Sequence, residues 1–438
     1  MNYQQTIQYL YSRLPMFSSH GQNAIKPGLQ NIIKFCGLLK DPHLKFKTIH
    51  IGGTNGKGST SHMLAAILQI AGYRTGLYTS PHLRDFRERI RVNGQMISEE
   101  AVATFVNENR IHIETIEPSF FETTVALAFD YFAKQNIDVA VVEVGLGGRL
   151  DSTNIIHPEL SVITNIGLDH VNILGNTLAQ IAFEKAGIIK AGVPVVIGQK
   201  QDEVKEVFML AASTLESRIV FASDEWEVTE TGKNQQTETT SSLLSVSATP
   251  KGSEKQISAP GNYQLDLTGS YQLKNLCTVL SSVEQLRMMG YVITDDHIRK
   301  ALKQVTKITG LMGRWQTIST NPRVICDTGH NEDGIREVMK NIAVTPYERL
   351  HMVIGMVKDK DISKILSLLP KEAIYYFCKP DIPRAKEADD LAKEAKAAGL
   401  SGNAFASVKQ ALEEAKKNAG ANDLIFVGGS TFVVAEII

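Results

Sequence analysis

Cysteine is scarce in this 438-residue chain: Cys36, Cys277, Cys326 and Cys378 lie far apart, with no CxxC pair and no metal-ligand spacing. That excludes a disulfide scaffold or a cysteine-bound zinc and predicts reduced thiols in a reducing compartment. Long hydrophobic runs are also missing. No apolar stretch reaches the ~20 residues that a membrane-crossing helix needs, and the opening MNYQQTIQYLYSRLP has no signal-peptide core. The expectation is a cytoplasmic protein. The third absence is an excess of charge: 46 Lys and Arg stand against 47 Asp and Glu, a net charge of −1. Such a balance gives no overall pull towards nucleic acid or an anionic membrane, so neither is expected as a partner. Any anionic substrate must be held by local cations. No internal repeat is visible.

The content that is present, 43% hydrophobic and 21% charged, describes a globular protein, and the length exceeds one ordinary core. Apolar, β-branched runs alternate with helical patterns: DVAVVEVG (138–145), LSVITNIG (160–167), VPVVIG (193–198) and RIVFAS (218–223), with amphipathic stretches such as LAQIAFEKAGIIKAG between several of them. That alternation predicts a doubly wound α/β fold with a mainly parallel sheet, whose ligands sit beyond the carboxyl ends of the strands. From about 224 to 268 the texture becomes polar and Thr/Ser-rich, and LLSVSA and YQLDLTG suggest a small antiparallel β addition. Order and disorder both stay open for 231–241. Helix returns in SYQLKNLCTVLSSVEQLRMMG. A second α/β series, RVICDTGHN, RLHMVIGMV, AIYYFCKP and DLIFVGGS, follows a hinge-like TKITGLMG. The expected organisation is a larger α/β domain over 1–305 and a Rossmann-like α/β domain over 306–438.

TIHIGGTNGKGSTSHMLAAIL, from Thr48 to Leu68, runs from a strand through a glycine loop into a helix. That order binds phosphate: bare backbone lets amide N–H groups approach the oxygens, the helix N-terminus adds positive potential, and Lys57 adds a full charge. Ser59 or Thr60 offers a hydroxyl for Mg²⁺. The spacing departs from the ordinary phosphate loop, since Gly52 and Gly56 enclose three residues and Gly58 separates Lys57 from Ser59. Two further strands end in chemistry. VVEVGLGGRLDSTN (141–154) carries Glu143 into glycines, and ITNIGLDHVNILG (163–175) carries Asp169 and His170. A carboxylate at a buried strand end is costly unless it meets a cation or a metal. Carboxylate and imidazole beside a phosphate loop point to Mg²⁺. Each motif alone is weak, because a lone His is more often structural; three such ends in one sheet point to a site.

GGTNGKGST, TSPHL (79–83), EVGLGGRLDSTN, TNIGLDHVNILG, EKAGIIK (184–190) and DTGHN (327–331), in that order, resemble folylpolyglutamate synthase and dihydrofolate synthase, of the Mur ligase superfamily. The resemblance runs from about residue 5 to 435, and SPHLRDFRERIRVNG and VGLGGRLDSTN are specific to the folate branch. It implies a bifunctional, ADP-forming amide ligase that adds L-glutamate to dihydropteroate, and further glutamates to reduced folates, through an acyl phosphate. It implies a monomer. By resemblance Gly53, Thr54, Asn55, Gly56, Lys57, Gly58 and Ser59 cradle ATP, with Asn275, Arg314, Asp327 and His330 completing its contacts. Ser80, Glu143 and His170 match Mg²⁺ ligands, for what the resemblance makes two ions. Lys185 matches a lysine that CO₂ converts into a carbamate, an oxygen ligand. Lys57, Glu143, His170 and Lys185 form the catalytic group. Phe121, Glu122, Thr123 and Thr124 in SFFETT, with Leu150, Asp151 and Ser152, match the dihydropteroate contacts, and Phe121 suits stacking on a flat heterocycle. Arg84, with Arg87, Arg89 and Arg91, suits either carboxylates or a solvated face. Met312 stands where the family has proline, and Thr328, Gly329 and Glu332 depart from its DGAHNP pattern.

A monofunctional folylpolyglutamate synthase is the neighbouring reading. A Mur peptidoglycan ligase is a more distant one, opposed by a phosphate loop only about 50 residues into the chain. A nucleotide switch without ligase chemistry would use the loop alone and leave Glu143, His170 and Lys185 without a purpose.

Overall fold

The computed structural model describes residues 1–14, 28–235, 242–251, 260–358 and 362–438. Of the stretch 231–241, residues 231–235 belong to a strand and 236–241 lie outside the described residues. The chain divides into two compact units. One comprises Met1–Thr231, Ser245–Leu265 and Gln272–Gly310; the other comprises Gly232–Leu244, Asp266–Tyr271 and Leu311–Ile438.

The first unit is built on eight strands: β1 (Lys47–Gly52), β2 (Thr75–Tyr78), β3 (Ile90–Val92), β4 (Gln95–Met96), β5 (Val139–Glu143), β6 (Leu160–Ile163), β7 (Val195–Ile197) and β8 (Ile219–Phe221). Their order in the sheet is β4-β3-β2-β5-β1-β6-β7-β8. The six strands from β2 to β8 are parallel, and β3 and β4 are antiparallel additions. Every residue of β2, β5, β6 and β7 is buried, as a parallel sheet covered on both faces requires. The helix Lys57–Ile70 is buried from Gly58 to Leu68, so its apolar content serves as core on all sides. One aromatic-rich core joins Phe35, Phe105, Phe129 and Phe132 to Val142 of β5; another joins Ile163, Ile181, Ile188 and Ile197. A three-stranded sheet of order β11-β10-β9 uses β9 (Trp226–Gln235), β10 (Ser242–Pro250) and β11 (Gly261–Leu265).

The second unit has a six-stranded sheet of order β12-β13-β17-β14-β15-β16. Its strands are β12 (Gln316–Thr320), β13 (Arg323–Cys326), β14 (Leu350–Ile354), β15 (Ile374–Cys378), β16 (Gly402–Phe405) and β17 (Leu424–Gly428), with only β12 antiparallel. All four cysteines are free thiols, and burial pushes Cys36 and Cys326 up to about 12 and Cys277 to about 11. Among the described residues, no helix is long and apolar enough to cross a membrane.

Candidate active site

Register brings the first unit's motifs level. Gly52 pairs with Ile163, Ile51 with Glu143, and Tyr78 with Val142. The phosphate loop, the Ser80 loop, the Glu143 loop and the Thr164–His170 loop therefore leave one sheet side by side at its carboxyl edge. Adjacent strands are ~4.8 Å apart.

Close approach shapes the loop. Gly56 sits at φ +87° as N-cap of the helix Lys57–Ile70, and a Cβ there would stand 2.3 Å from Asn275 Oδ1. Gly53, at φ +132°, would place a Cβ 2.0 Å from Thr164 Oγ1. The neighbouring strand end supplies the frame. Thr164 Oγ1 donates to Asn55 O (2.6 Å), Asn55 N donates to Asn165 Oδ1 (2.8 Å), and Gly167 N donates to Thr54 Oγ1 (3.0 Å). From the other side Gln272 Nε2 donates to Ser59 Oγ (3.2 Å), and Asn275 Nδ2 donates to Gln272 Oε1 (2.8 Å). Thr60 is buried and its hydroxyl oxygen has no hydrogen-bond partner.

Two lysine amines meet on one carbonyl. Lys57 Nζ donates to Gly53 O and Thr54 O, each at 3.1 Å, while Lys185 Nζ donates to Gly53 O at 2.8 Å. Lys185 is 4% exposed. Burial first, then the Lys57 charge, bring its amine down to about 7, so much of it is neutral near physiological pH. Ser80 N donates to Glu143 Oε2 at 3.4 Å, which brings those two predicted ligands together. His170 caps the short helix Val171–Leu174 at φ +49°, and its backbone N donates to Asp169 Oδ1 at 2.9 Å. Among the described residues no three His, Cys, Asp or Glu side chains form a metal-holding group. The predicted set contains only Glu143 and His170 of those types; its other donors are a hydroxyl and a carbamate.

The predicted acceptor residues divide. The Phe121 ring lies 6.2 Å from Tyr78, and a Cβ on Gly145 would stand 2.4 Å from Phe121 Cζ and 3.2 Å from Asp151 Oδ2, so Phe121 and the Asp151 loop converge. Leu150 is exposed and Ser152 half-buried. Other members are engaged locally. Glu122 Oε2 accepts from Ser119 N (2.7 Å) in a capping box that starts the helix Phe120–Lys134. Thr123 and Thr124 hydroxyls donate to Ser119 O and Phe120 O. Asp151 accepts from Leu146 N (2.8 Å) and Thr153 N (3.0 Å), and burial raises its carboxyl.

In the second unit Asp327 is buried. It accepts from Tyr271 Oη (2.5 Å), Trp315 N (2.8 Å) and Gly329 N (2.8 Å), and burial raises its carboxyl. Arg314 donates to Thr328 Oγ1, so a residue at which this chain departs from the family pattern holds the predicted arginine. His330 Nδ1 lies 2.9 Å from Thr328 O, and Asn331 caps the helix Glu332–Ala343. Gln272, Thr164, Asn165 and Tyr271 are the residues that motif reading passed over. Gln272 was within reach of it, since position i−3 on a helix shares the face of Asn275.

The Mur ligase middle domain matches residues 51–283, and the Mur ligase glutamate ligase domain matches 313–431. The dihydrofolate synthase/folylpolyglutamate synthase of Bacillus subtilis is 32% identical, over 99% of this chain and 98% of its own length. A probable bifunctional folylpolyglutamate synthase/dihydropteroate synthase of Haloferax volcanii is also 32% identical, but this chain spans only 50% of it. Among solved structures, the folylpolyglutamate synthase of Thermotoga maritima superposes with TM-score 0.80 at 32% identity, covering 99% of this chain and 95% of that one. An Escherichia coli structure in complex with DHPP and ADP gives TM-score 0.82 at 30% identity, covering 100% and 97%. The chain belongs to the dihydrofolate synthase/folylpolyglutamate synthase family of Mur ligases.

Proposed function

We propose that this protein joins L-glutamate to dihydropteroate, and further glutamates to reduced folates, at the expense of ATP. The observation that carries the reading is Lys57 Nζ on Gly53 O and Thr54 O, within a glycine loop that opens the helix Lys57–Ile70, with the Lys185 amine on the same Gly53 carbonyl. A lysine cation at the glycine-rich start of a helix is a setting for phosphate, and the incoming anion is the triphosphate. The acceptor carboxylate attacks the γ-phosphorus; an O–P bond forms, the bridging P–O bond breaks, and ADP leaves. The glutamate amine then attacks the acyl carbonyl; a C–N bond forms, the C–O bond to phosphate breaks, and the amine's surplus proton goes to solvent. Lys57 follows the transferred charge, and Asn275 and Gln272 hold the loop in register.

The donor set suits a divalent cation. Ser80 and Glu143 are adjacent, and His170 shares the carboxyl edge. Such an ion, Mg²⁺ in our reading and two of them by family resemblance, supplies charge neutralisation for phosphoryl transfer. Lys185 completes the set as a carbamate. Its neutral Nζ attacks CO₂, an N–C bond forms, one C=O π bond opens onto oxygen, one proton leaves to solvent, and a neutral amine becomes an anionic oxygen donor beside the Lys57 cation. We expect Lys185→Ala to lose at least 100-fold in kcat and to recover part of it with added short carboxylates; density for an unmodified lysine at adequate CO₂ would overturn the modification.

The function is tested by phosphate release with Mg·ATP and L-glutamate, comparing 7,8-dihydropteroate with tetrahydrofolate. Release with both supports the bifunctional enzyme. Release with tetrahydrofolate alone makes it a monofunctional folylpolyglutamate synthase and removes SFFETT from the substrate contacts.

A further inference from the structure

The four arginines after the Ser80 loop have distinct surroundings. Arg84 is exposed. Arg87 pairs with Asp85 at 2.6 Å. Arg91 is buried and donates to Gly94 O at 3.0 Å. Arg89 differs from all three. It is 8% exposed, and its Nε donates to His82 Nδ1 at 2.7 Å. His82 carries no negative charge in either protonation state, so it offers no countercharge. Arg89 lies 5.4 Å over the Phe120 ring, which packs against Tyr11 and Phe86. Among the described residues no Asp or Glu forms an ion pair with it; Tyr78 hydrogen-bonds to it, and Tyr11 and Glu143 act on it electrostatically. Arg89 and Arg91 therefore do not make a solvated face.

A buried guanidinium without an acid is expensive. It is tolerable where the missing anion comes with a ligand, and the surroundings say which ligand. Tyr78 touches both neighbourhoods: it lies 6.2 Å from Phe121 and acts on the Arg89 charge. Tyr78 thus links the Phe121 ring to the Arg89 cation, and the Glu143 charge acts on the same guanidinium. A flat acceptor with one carboxylate matches that sequence of groups.

We propose that Arg89 receives the carboxylate of the acceptor and sets the preference for a carboxylate in binding. The inference rests on the ligase reading above. Guanidinium meets carboxylate bidentately, and its charge offsets the repulsion between that carboxylate and the incoming γ-phosphate.

The test uses the full chain and two ligands, dihydropteroate and its carboxamide analogue, with equilibrium binding followed by fluorescence and KM by phosphate release. Wild type should prefer the carboxylate by about 10- to 100-fold. Arg89→Met should lose that preference, bind the carboxamide as before, and raise KM for dihydropteroate while KM for Mg·ATP and glutamate stays put. Arg89→Lys should keep part of the preference, and it decides the matter if Arg89→Met does not fold. Equal weakening of both ligands, or an undiminished preference in the variants, overturns the proposal and leaves the ligase reading intact. Absence of phosphate release by wild type with either dihydropteroate or tetrahydrofolate overturns the ligase reading and this proposal with it.

Discussion

Gly56 shows how much one missing side chain matters. Its φ of +87° and the 2.3 Å approach of Asn275 Oδ1 to a hypothetical Cβ both exclude a substituent. Gly56→Ala should cost roughly 1–2 kcal/mol from the left-handed backbone alone and displace Asn275 as well. We expect KM for ATP to rise about tenfold or more, read from ATP titrations of phosphate release; an unchanged KM would mean the loop does not carry the nucleotide. Motif spacing marked this glycine but not its reason, because the clashing atom lies more than 200 positions away in the chain.

Element boundaries follow local chemistry, and here the sequence was most readable. The strands in DVAVVEVG, LSVITNIG, VPVVIG and RIVFAS are present as β5 to β8, because buried parallel strands leave continuous β-branched runs. The short β3 and β4 and the strands β12 and β16, which the reading did not name, carry no such run: β4 has two residues, both exposed, and β12 has none buried. The candidate site was legible where glycine and charge cluster, and illegible where ordinary Thr and Asn, such as Thr164 and Asn165, act through backbone contacts. SFFETT illustrates the limit. Its Glu122 starts a helix by accepting from Ser119 N. Glu122→Ala should cost about 1 kcal/mol of stability through the lost cap, whereas Glu122→Gln should cost little, as chemical denaturation will show. If both variants raise KM for dihydropteroate equally without changing stability, the residue serves the acceptor instead.

For the molecule as a whole, His50 sets an acid limit. It lies fully buried in the middle of β1, with Nε2 2.8 Å from Thr153 Oγ1, and burial, with Lys190 adding to it, holds its imidazole down at about 3. Below 6.5 the unfolded chain takes up a proton that the native state refuses. Stability is therefore complete above 6.5 and falls as pH drops towards about 3, by up to ~1.4 kcal/mol per unit. His50→Gln keeps an amide for Thr153 and removes the titration. Between pH 7 and 5 the variant should lose about 2 kcal/mol less than wild type in urea denaturation, and parallel losses would place the acid sensitivity elsewhere. The predicted ATP contacts fall in both units, 53–59 and 275 in one and 314, 327 and 330 in the other. We propose that ATP, Mg²⁺ and acceptor together draw the units closer. Solution scattering should show a smaller radius of gyration with all three present, and an unchanged radius would count against closure.

The lattice of bonds from Thr164, Asn165 and Gly167 to the phosphate loop has a consequence during synthesis. The glycine loop is complete once residue 59 is made, yet its frame arrives only with the strand Leu160–Ile163 and the turn after it. A nascent chain still shorter than that has the loop's sequence without its shape, and nucleotide cannot help it fold. On the proposed reading of this loop, ATP becomes a folding ligand only after the strand Leu160–Ile163, and then Gln272 and Asn275, have emerged from the ribosome.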